Sequence, residues 1–567
     1  MIRRRPLPLA ATLCLALLTA CQPQVTPLSA VQGEGPRSPL AGQTVSVEGV
    51  VNAEFGAGLG GFFLQSDEAG LFVAWPEGVQ PVPRPGDRVR VRGTVAELGQ
   101  GEATVTALIQ PRVEILGHGE PPAPRVLDTP PADWEPHEGV LIRIQAPLTV
   151  TGNYTLLRYG ELEVAFDGRL WTPTELAPPG SEAARIAADN ARRRLLLDDG
   201  RTLHYPDSLP YLPQPLSPEA PLRAGSLVRG ATGVLDHRFG RYRLQLTASL
   251  DIEQAPRPDA PRVAGALRIA AFNLENLFNG DGRGGGFPTA RGAATPEEHA
   301  RQVAKLVAAV QGLDPDLAAL SEVENDGDGP DSALAQFVDA LNAAGPAHDW
   351  RYIASGEFAG GDAIRVALIY REGRVTPVGR VAGLTAAPFD RGNRPPLAAA
   401  FRQGDAAPIV VVANHFKSKG GCPPGPDPNA DQGDGQACWN ALRTRAAKAL
   451  HAWIASDPTQ TGSDRAVILG DLNSYSQEDP LRTLRDLGWV DAFANGPSYS
   501  YVFAGQAGRL DHALLSPALA PRLHGAAKWH INADEHEGFG YPRCPALGCD
   551  GPWASSDHDP VLIGLDP

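Results

Sequence analysis

Through the second half of the chain, short and mostly apolar runs recur, and most have a cluster of Asn, Asp, Glu, His or Lys at one end. The runs lie at residues 267–272, 317–320, 365–370, 409–413, 467–469, 509–515 and 561–565. Runs this short, with no helical period, suit strands covered on both faces. The segments between them have another period. Thr295-Pro-Glu-Glu298 is a capping box with proline at the first helical position, and Val303, Leu306, Val307 and Val310 follow on one face. Residues 440–454 repeat the pattern with Leu442, Ala446, Leu450 and Trp453. Strands alternating with amphipathic helices predict an α/β domain, expected over residues 264–567.

The polar clusters sit just past the strand in each unit, where one edge of a sheet gathers them in space. They read Asn273-Leu-Glu275, Ser321-Glu-Val-Glu324, Asn414-His-Phe-Lys-Ser-Lys-Gly420, Gly470-Asp-Leu-Asn473, Arg509-Leu-Asp-His512 and Ser556-Asp-His-Asp-Pro560. Any one alone is ordinary turn chemistry; six at corresponding strand ends are not. Hydrolysis of a phosphate ester needs hard oxygen ligands for a divalent cation, and Glu322, Asp557, Asn273 and Glu275 offer them. It needs a base for water, which His558 with Asp511 supplies. It needs donors for the charge that builds in the transition state, and Asn473, His415 and Lys417 are available.

In their order along the chain, Phe272-Asn-Leu-Glu-Asn276, Leu320-Ser-Glu-Val-Glu-Asn325, Asn414-His-Phe-Lys-Ser-Lys-Gly420, Leu469-Gly-Asp-Leu-Asn473, Arg509-Leu-Asp-His512 and Ser556-Asp-His-Asp-Pro560 resemble the motifs of the endonuclease/exonuclease/phosphatase superfamily, the DNase I-like fold. The resemblance implies a four-layer α/β sandwich with its site at one sheet edge. It implies Glu322 as chief ligand of Mg²⁺ or Mn²⁺, with Asn273, Glu275 and Asp557 around the metal or its waters. His558, oriented by Asp511, would be the general base. Asp471 would help position the attacking water or a second cation, Asn473 would bind the scissile phosphate, and His415 would contact phosphate or assist the leaving group.

The extended 414–420 motif, followed by a cysteine loop and Cys438-Trp-Asn440, resembles the secreted bacterial nuclease branch. Asn414, Lys417 and Lys419 therefore join the phosphate-binding expectation; the chain has only five lysines and two fall in this motif. Arg365, at the start of a strand, is a further candidate. The implied activity is metal-dependent hydrolysis of phosphodiester bonds in DNA, and in RNA too, by endo- or exonucleolytic attack of water activated by histidine. A phosphodiesterase of the same fold acting on phospholipid headgroups or small phosphate esters is the alternative; a non-catalytic ligand-binding lipoprotein is the second.

The first half is built otherwise. From Thr44 to Leu116, runs such as Val45-Ser-Val-Glu-Gly-Val50 and Gly86-Asp-Arg-Val-Arg-Val-Arg-Gly-Thr-Val95 alternate with period two between glycine turns. Five such strands predict a small barrel. The second run and Gly61-Phe-Phe-Leu-Gln65 resemble OB-type modules that precede some secreted bacterial nucleases, giving an OB-like β-barrel over 41–118. Phe55, Phe62, Phe63, Phe72 and Trp75 at strand spacing suit barrel core better than a base-stacking surface. Residues 119–260 mix strand-like runs, Pro-rich turns and a helix-like stretch at 181–194; they form a second β-rich domain of unassigned role. Three prolines between Gln254 and Val263 mark its end.

Arg3, Arg4 and Arg5 precede an apolar stretch and the small residues before Cys21, which together make a secretory signal. Leu18-Thr-Ala-Cys21 resembles the bacterial lipobox. That implies a signal peptide over 1–20, lipidation of Cys21, a tether over 21–40 and an extracytoplasmic lipoprotein of the cell envelope; a soluble secreted protein cut elsewhere is the alternative. Cys422, Cys438, Cys544 and Cys549 then form an even set suited to two disulfides, and proximity favours 422–438 and 544–549. Their spacing lacks CxxC, against zinc. At 43% apolar and 20% charged residues, the chain is globular rather than disordered. A net charge of −15 argues against a charge-driven coat on nucleic acid or a polybasic membrane binder, but a nuclease needs only local positive charge. The acidic loops Asn325-Asp-Gly-Asp-Gly-Pro-Asp331 and Asp427-Pro-Asn-Ala-Asp-Gln-Gly-Asp434 are candidates for structural Ca²⁺.

Overall fold

A computed structural model describes residues 25–66, 69–75, 82–101 and 103–567. The expected signal and Cys21 lie outside the described residues. Two six-stranded sheets organise the C-terminal half. One runs in the order Trp350–Tyr352, Ile364–Arg371, Leu317–Glu324, Leu267–Leu277, Val561–Leu565, Leu523–Lys528; the other runs Thr376–Gly383, Leu397–Arg402, Ile409–His415, Ala466–Asp471, Asp511–Leu515, Val490–Asp491.

Successive strand side chains point to opposite faces, and here both faces are dry. Ile269, Ala271, Leu317 and Ala319 of the first sheet share one buried cluster with Val411, Ala413, Val467 and Leu469 of the second. Their neighbours Ala270, Phe272, Ala318 and Leu320 face outward, onto helices Pro296–Leu313 and Ala333–Ala344. Val410, Val412 and Ile468 pack likewise on Asn440–Ala455 and Asp479–Asp486. Helix, sheet, sheet and helix make the four layers. At the start of the first helix, Thr295 Oγ1 accepts from the Glu298 amide at 3.2 Å, as the capping box requires.

In the N-terminal half, Thr44–Glu54, Gly61–Ser66, Ala69–Ala74, Ala103–Gly117 and Arg88–Gln100 close, in that order, into a barrel. Phe62 lies in its core. Phe63 and Phe72 instead pack with Leu141 and Val234 of the next sheet. None of the three is free to stack on a base. Residues 125–253 contribute a nine-stranded sheet and the helix Ser181–Arg193.

The halves are stitched together. Leu170–Trp171 joins Gln506–Gly508 and Tyr501–Phe503 in a three-stranded sheet. Arg169 and Arg223 pair with Asp534 at 2.9 and 3.6 Å, and Glu175 accepts from Ser476 Oγ at 2.7 Å. Disulfides link Cys422 to Cys438 and Cys544 to Cys549, as sequence proximity suggests. Among the described residues, no helix is long and apolar enough to cross a membrane.

Candidate active site

Irregular backbone at the strand ends builds the site. Leu267–Leu277 and Leu317–Glu324 run in parallel register up to Asn273 and then slip. Leu317–Glu324 also slips against Ile364–Arg371, between Leu320 and Val323. At these slips Glu275, Asn276 and Glu322 take φ of 51°, 54° and 61°. Non-glycine residues hold that left-handed conformation at a cost of about 1–3 kcal/mol each, so the surrounding packing must enforce it. Bulges of this kind re-aim side chains that a regular ladder would leave alternating along the strand. On the facing sheet, Gly470 has φ 118°, and a Cβ there would stand 2.3 Å from the Asn414 carbonyl oxygen. Only glycine lets Ala466–Asp471 deliver Asp471 and Asn473 at this point.

Asn273 Nδ2 lies 3.3 Å from Glu322 Oε1 and 3.5 Å from Asp471 Oδ2, so it bridges the two sheets. His415 Nε2 stands 3.5 Å from Asp471 and 3.9 Å from Glu322. The Asn276 amide donates to Glu322 Oε2 at 3.0 Å, and the Glu275 amide to Asn273 Oδ1 at 3.0 Å. Ser556 Oγ donates to the Asn273 carbonyl at 2.7 Å, which ties the last motif to the first. His558 Nδ1 sits 2.7 Å from Asp511 Oδ2, and Ser500 Oγ donates to that same oxygen at 2.7 Å. Asp511 thus takes Nδ1 and leaves Nε2 as the nitrogen available for chemistry.

Negative charge is in excess here. Burial pushes the Glu275 pKa well above the carboxylate range, helped by Asp557 and Glu322; Glu322 rises through burial and Asp557. Burial carries Asp471 up to about 7 against the pull of the His558 charge. For His558 burial opposes the charged form, yet Asp511, Asp557 and Asp471 together hold its pKa well above the usual imidazole value. His415 goes the other way, driven well below by burial and then by Arg394. Among the described residues, no lysine or arginine forms an ion pair with Glu275, Glu322 or Asp557. Three carboxylates with an amide carbonyl at hand, and no lysine or arginine paired with them, suit a hard divalent cation.

Several expected phosphate contacts are engaged elsewhere. Lys419 Nζ contacts both Glu478 oxygens at 2.6 Å and lies over the Tyr475 ring; this buried pair serves the fold. Lys417 Nζ is satisfied by Ser418 Oγ at 3.0 Å and lies over Trp439. Asn414 Nδ2 donates to the Val412 carbonyl at 2.8 Å inside its own sheet. Asn473 reaches the site, but its amide hydrogens go to Asp471 Oδ2 and the Phe416 carbonyl, both at 3.1 Å; it orients Asp471. Arg365 is buried against Asp328 at 2.6 Å. In the loops considered for Ca²⁺, the carboxylates already carry protein partners. Asp328 holds Arg365, Asp326 caps Ala333 at 2.8 Å, and Asp427, Asp431 and Asp434 each accept an amide two residues on.

Two neighbours were not legible in the sequence. Arg394 lies beside the site, paired with Asp362 at 3.2 Å and donating to the Phe416 carbonyl at 3.1 Å. The Tyr501 ring lies 4.7 Å from the His558 imidazole. Tyr501 also lines a cavity of about 1060 Å³ that runs from Glu275 and Asp557 along the nine-stranded sheet, past Tyr154, Arg241 and Phe503. Tyr154 and Phe503 are exposed there.

A family model described as the Endonuclease/Exonuclease/phosphatase family matches residues 270–558. Among solved structures, an endonuclease/exonuclease/phosphatase from Bacteroides vulgatus is 15% identical, covering 52% of this chain and 97% of its own, with TM-score 0.34. The human Nocturnin catalytic domain is 13% identical over 53% and 95%, with TM-score 0.34. A mannosyl-6-phosphatase of Bacteroides thetaiotaomicron is 16% identical over 53% and 99%, with TM-score 0.33. No curated protein matches the chain.

Proposed function

This chain belongs to the endonuclease/exonuclease/phosphatase family, and from that premise we propose that it is a divalent-metal-dependent phosphodiesterase that cleaves nucleic acid, DNA foremost, outside the cytoplasm. The observation that carries this reading is the junction of both sheet ends, where Asn273 links Glu322 to Asp471 and the His558–Asp511 pair stands beside the same carboxylates.

Glu322, Glu275 and Asp557, with Asn273, would hold Mg²⁺ or Mn²⁺. When bound, such a cation neutralises phosphoryl oxygens and offsets the carboxylates that retain the His558 proton. His558 Nε2 would accept a proton from water as the water oxygen attacks phosphorus and the bond from phosphorus to the opposite ester oxygen breaks, that leaving oxygen taking its proton from solvent. Asp511 fixes the ring and stabilises the imidazolium that results. His415, kept neutral by burial, donates a hydrogen bond at the phosphate rather than a proton. Asn473 and Asn273 hold Asp471 still while charge builds.

The cavity beside the site supports a polymeric substrate. Exposed rings at Tyr154 and Phe503 suit stacking on unpaired bases, and Arg241, paired with Glu163, lines the same cavity. The closed barrel order supports the OB-type assignment of residues 41–118, and the Cys21 lipobox supports a membrane tether. The test is supercoiled circular DNA, offered beside a chromogenic phosphodiester and sphingomyelin vesicles in Mg²⁺ or Mn²⁺. We expect open circles from the parent, none with chelator, and none from Glu322→Gln. Hydrolysis of either other substrate with the circle left intact defeats the nuclease assignment.

A further inference from the structure

Away from this site, at the seam between the barrel and the nine-stranded sheet, one oxygen each of Glu135 and Glu138 and one nitrogen of His237 lie within 4.8 Å of one another. Among the described residues, no other trio of His, Cys, Asp or Glu side chains meets that closely. Glu138 is 2% exposed. Its Oε1 is satisfied by Gln32 Nε2 at 3.0 Å and by the Thr106 amide at 2.9 Å. Its Oε2 is buried with no hydrogen-bond partner. The His237 Nδ1 is also buried and unpartnered. Glu135 is buried, and its Oε2 accepts only from the Tyr242 hydroxyl, at 2.7 Å.

Charge makes the arrangement costly as it stands. Neither carboxylate has a lysine or arginine in ion pairing among the described residues; Arg238, next along the chain, is spent on Asp236 at 3.0 Å. An unpaired buried carboxylate oxygen and an unpaired buried imidazole nitrogen are both expensive. A cation that both can ligate relieves both at once.

The surroundings have the second layer that a metal site needs. Tyr242 serves two ligands at once: its hydroxyl holds Glu135, and its ring stacks on His237 at 3.8 Å and 9°. That stacking orients the imidazole, while Gln32 and Thr106 hold Glu138 from the barrel side. The donor set decides the ion. Two carboxylate oxygens and one imidazole nitrogen favour a borderline transition metal over Mg²⁺ or Ca²⁺, which prefer oxygen alone.

We propose that Glu135, Glu138 and His237 form a structural Zn²⁺-class site, separate from the catalytic centre, that locks the barrel onto the nine-stranded sheet. Gln32 and Thr106 carry the lock into the barrel, since both hold the carboxylate that would ligate the ion.

The experiment uses the full chain carrying Glu322→Gln, which weakens the catalytic site for metals. The protein is stripped with chelator, dialysed against Zn²⁺ and assayed for bound metal and melting temperature. We expect one tightly held equivalent and a higher melting temperature with zinc. Adding Glu138→Gln or His237→Ala should weaken that equivalent at least tenfold and abolish the shift, while the zinc-free double variants still melt cooperatively. Zinc that binds the double variants as tightly as the parent overturns the site. So does a parent that binds none, which would leave water or a shared proton as the partner of Glu138.

Discussion

At the scale of single residues, His558 and Lys419 make opposite predictions from similar-looking motif positions. His558 has one nitrogen fixed by Asp511 and one left over, so His558→Ala or Asp511→Asn should lower kcat by about 10²–10⁴-fold with little change in DNA binding. Rate measurements beside a gel-shift titration separate the two effects. Lys419 has no such freedom. Its ammonium is held by Glu478, so Lys419→Met should cost about 3 kcal/mol of unfolding free energy and leave KM for DNA unchanged. A raised KM with unaltered stability would return Lys419 to the phosphate. Lys305 supplies a pH test. Burial, with Arg257 nearby, lowers its pKa from 10.5 to about 8, and its Nζ donates to the Trp553 carbonyl at 2.9 Å. Between pH 8 and 10.5 the unfolded chain binds more protons than the folded one, so stability rises with pH across that window. The difference between parent and Lys305→Met should therefore shift in the parent's favour by about 3 kcal/mol over those units, read from urea unfolding at each pH.

Elements show why some structure was legible and some was not. Strands covered on both faces, such as Ile409–His415, carry a continuous apolar run and announce themselves. Leu397-Ala-Ala-Ala-Phe-Arg402 does not. Alanine favours helix in isolation, and this strand forms because Ile409–His415 and Thr376–Gly383 flank it. The edge strand Thr376–Gly383 holds Pro377 and Gly379 and is largely exposed, so its pairing is tertiary too. The cysteine loop is the element most open to test. The Cys422–Cys438 bond closes it, and the buried Arg443 ties it down through the Gln436, Cys438 and Lys417 carbonyls. Replacing both cysteines by serine should lower stability by about 3 kcal/mol, seen as a fall in Tm.

At the scale of the whole molecule, the two halves share polar anchors rather than a flexible linker. Asp534 receives Arg169, Arg223 and Tyr499, and its carbonyl accepts from Asn153 at 3.0 Å. Asp534→Ala would strand the buried Arg169 guanidinium, while Arg223 keeps Glu535 at 3.2 Å. We expect a loss of about 3–5 kcal/mol and a single unfolding transition splitting in two, by calorimetry. The same seam shapes the cavity. If Tyr154 and Phe503 hold bases, Tyr154→Ala with Phe503→Ala should raise KM for single-stranded DNA about tenfold or more and leave kcat on a small chromogenic diester alone.

Local chemistry was enough to place the ordered polar motifs at strand ends, the capping box, the alternating barrel strands and the neighbouring cysteine pairs, because each depends on residues close in sequence. Which of those polar groups stay free, and which are consumed by a partner tens of positions away, depends on packing. Lys419 was lost to Glu478 and Arg365 to Asp328, while Arg394 and Tyr501 entered the site from segments with no motif. The meeting of Glu135, Glu138 and His237 was equally silent, since Leu141–Ile144 and Thr232–Asp236, about ninety positions apart, had to pair before the side chains at their ends could become neighbours.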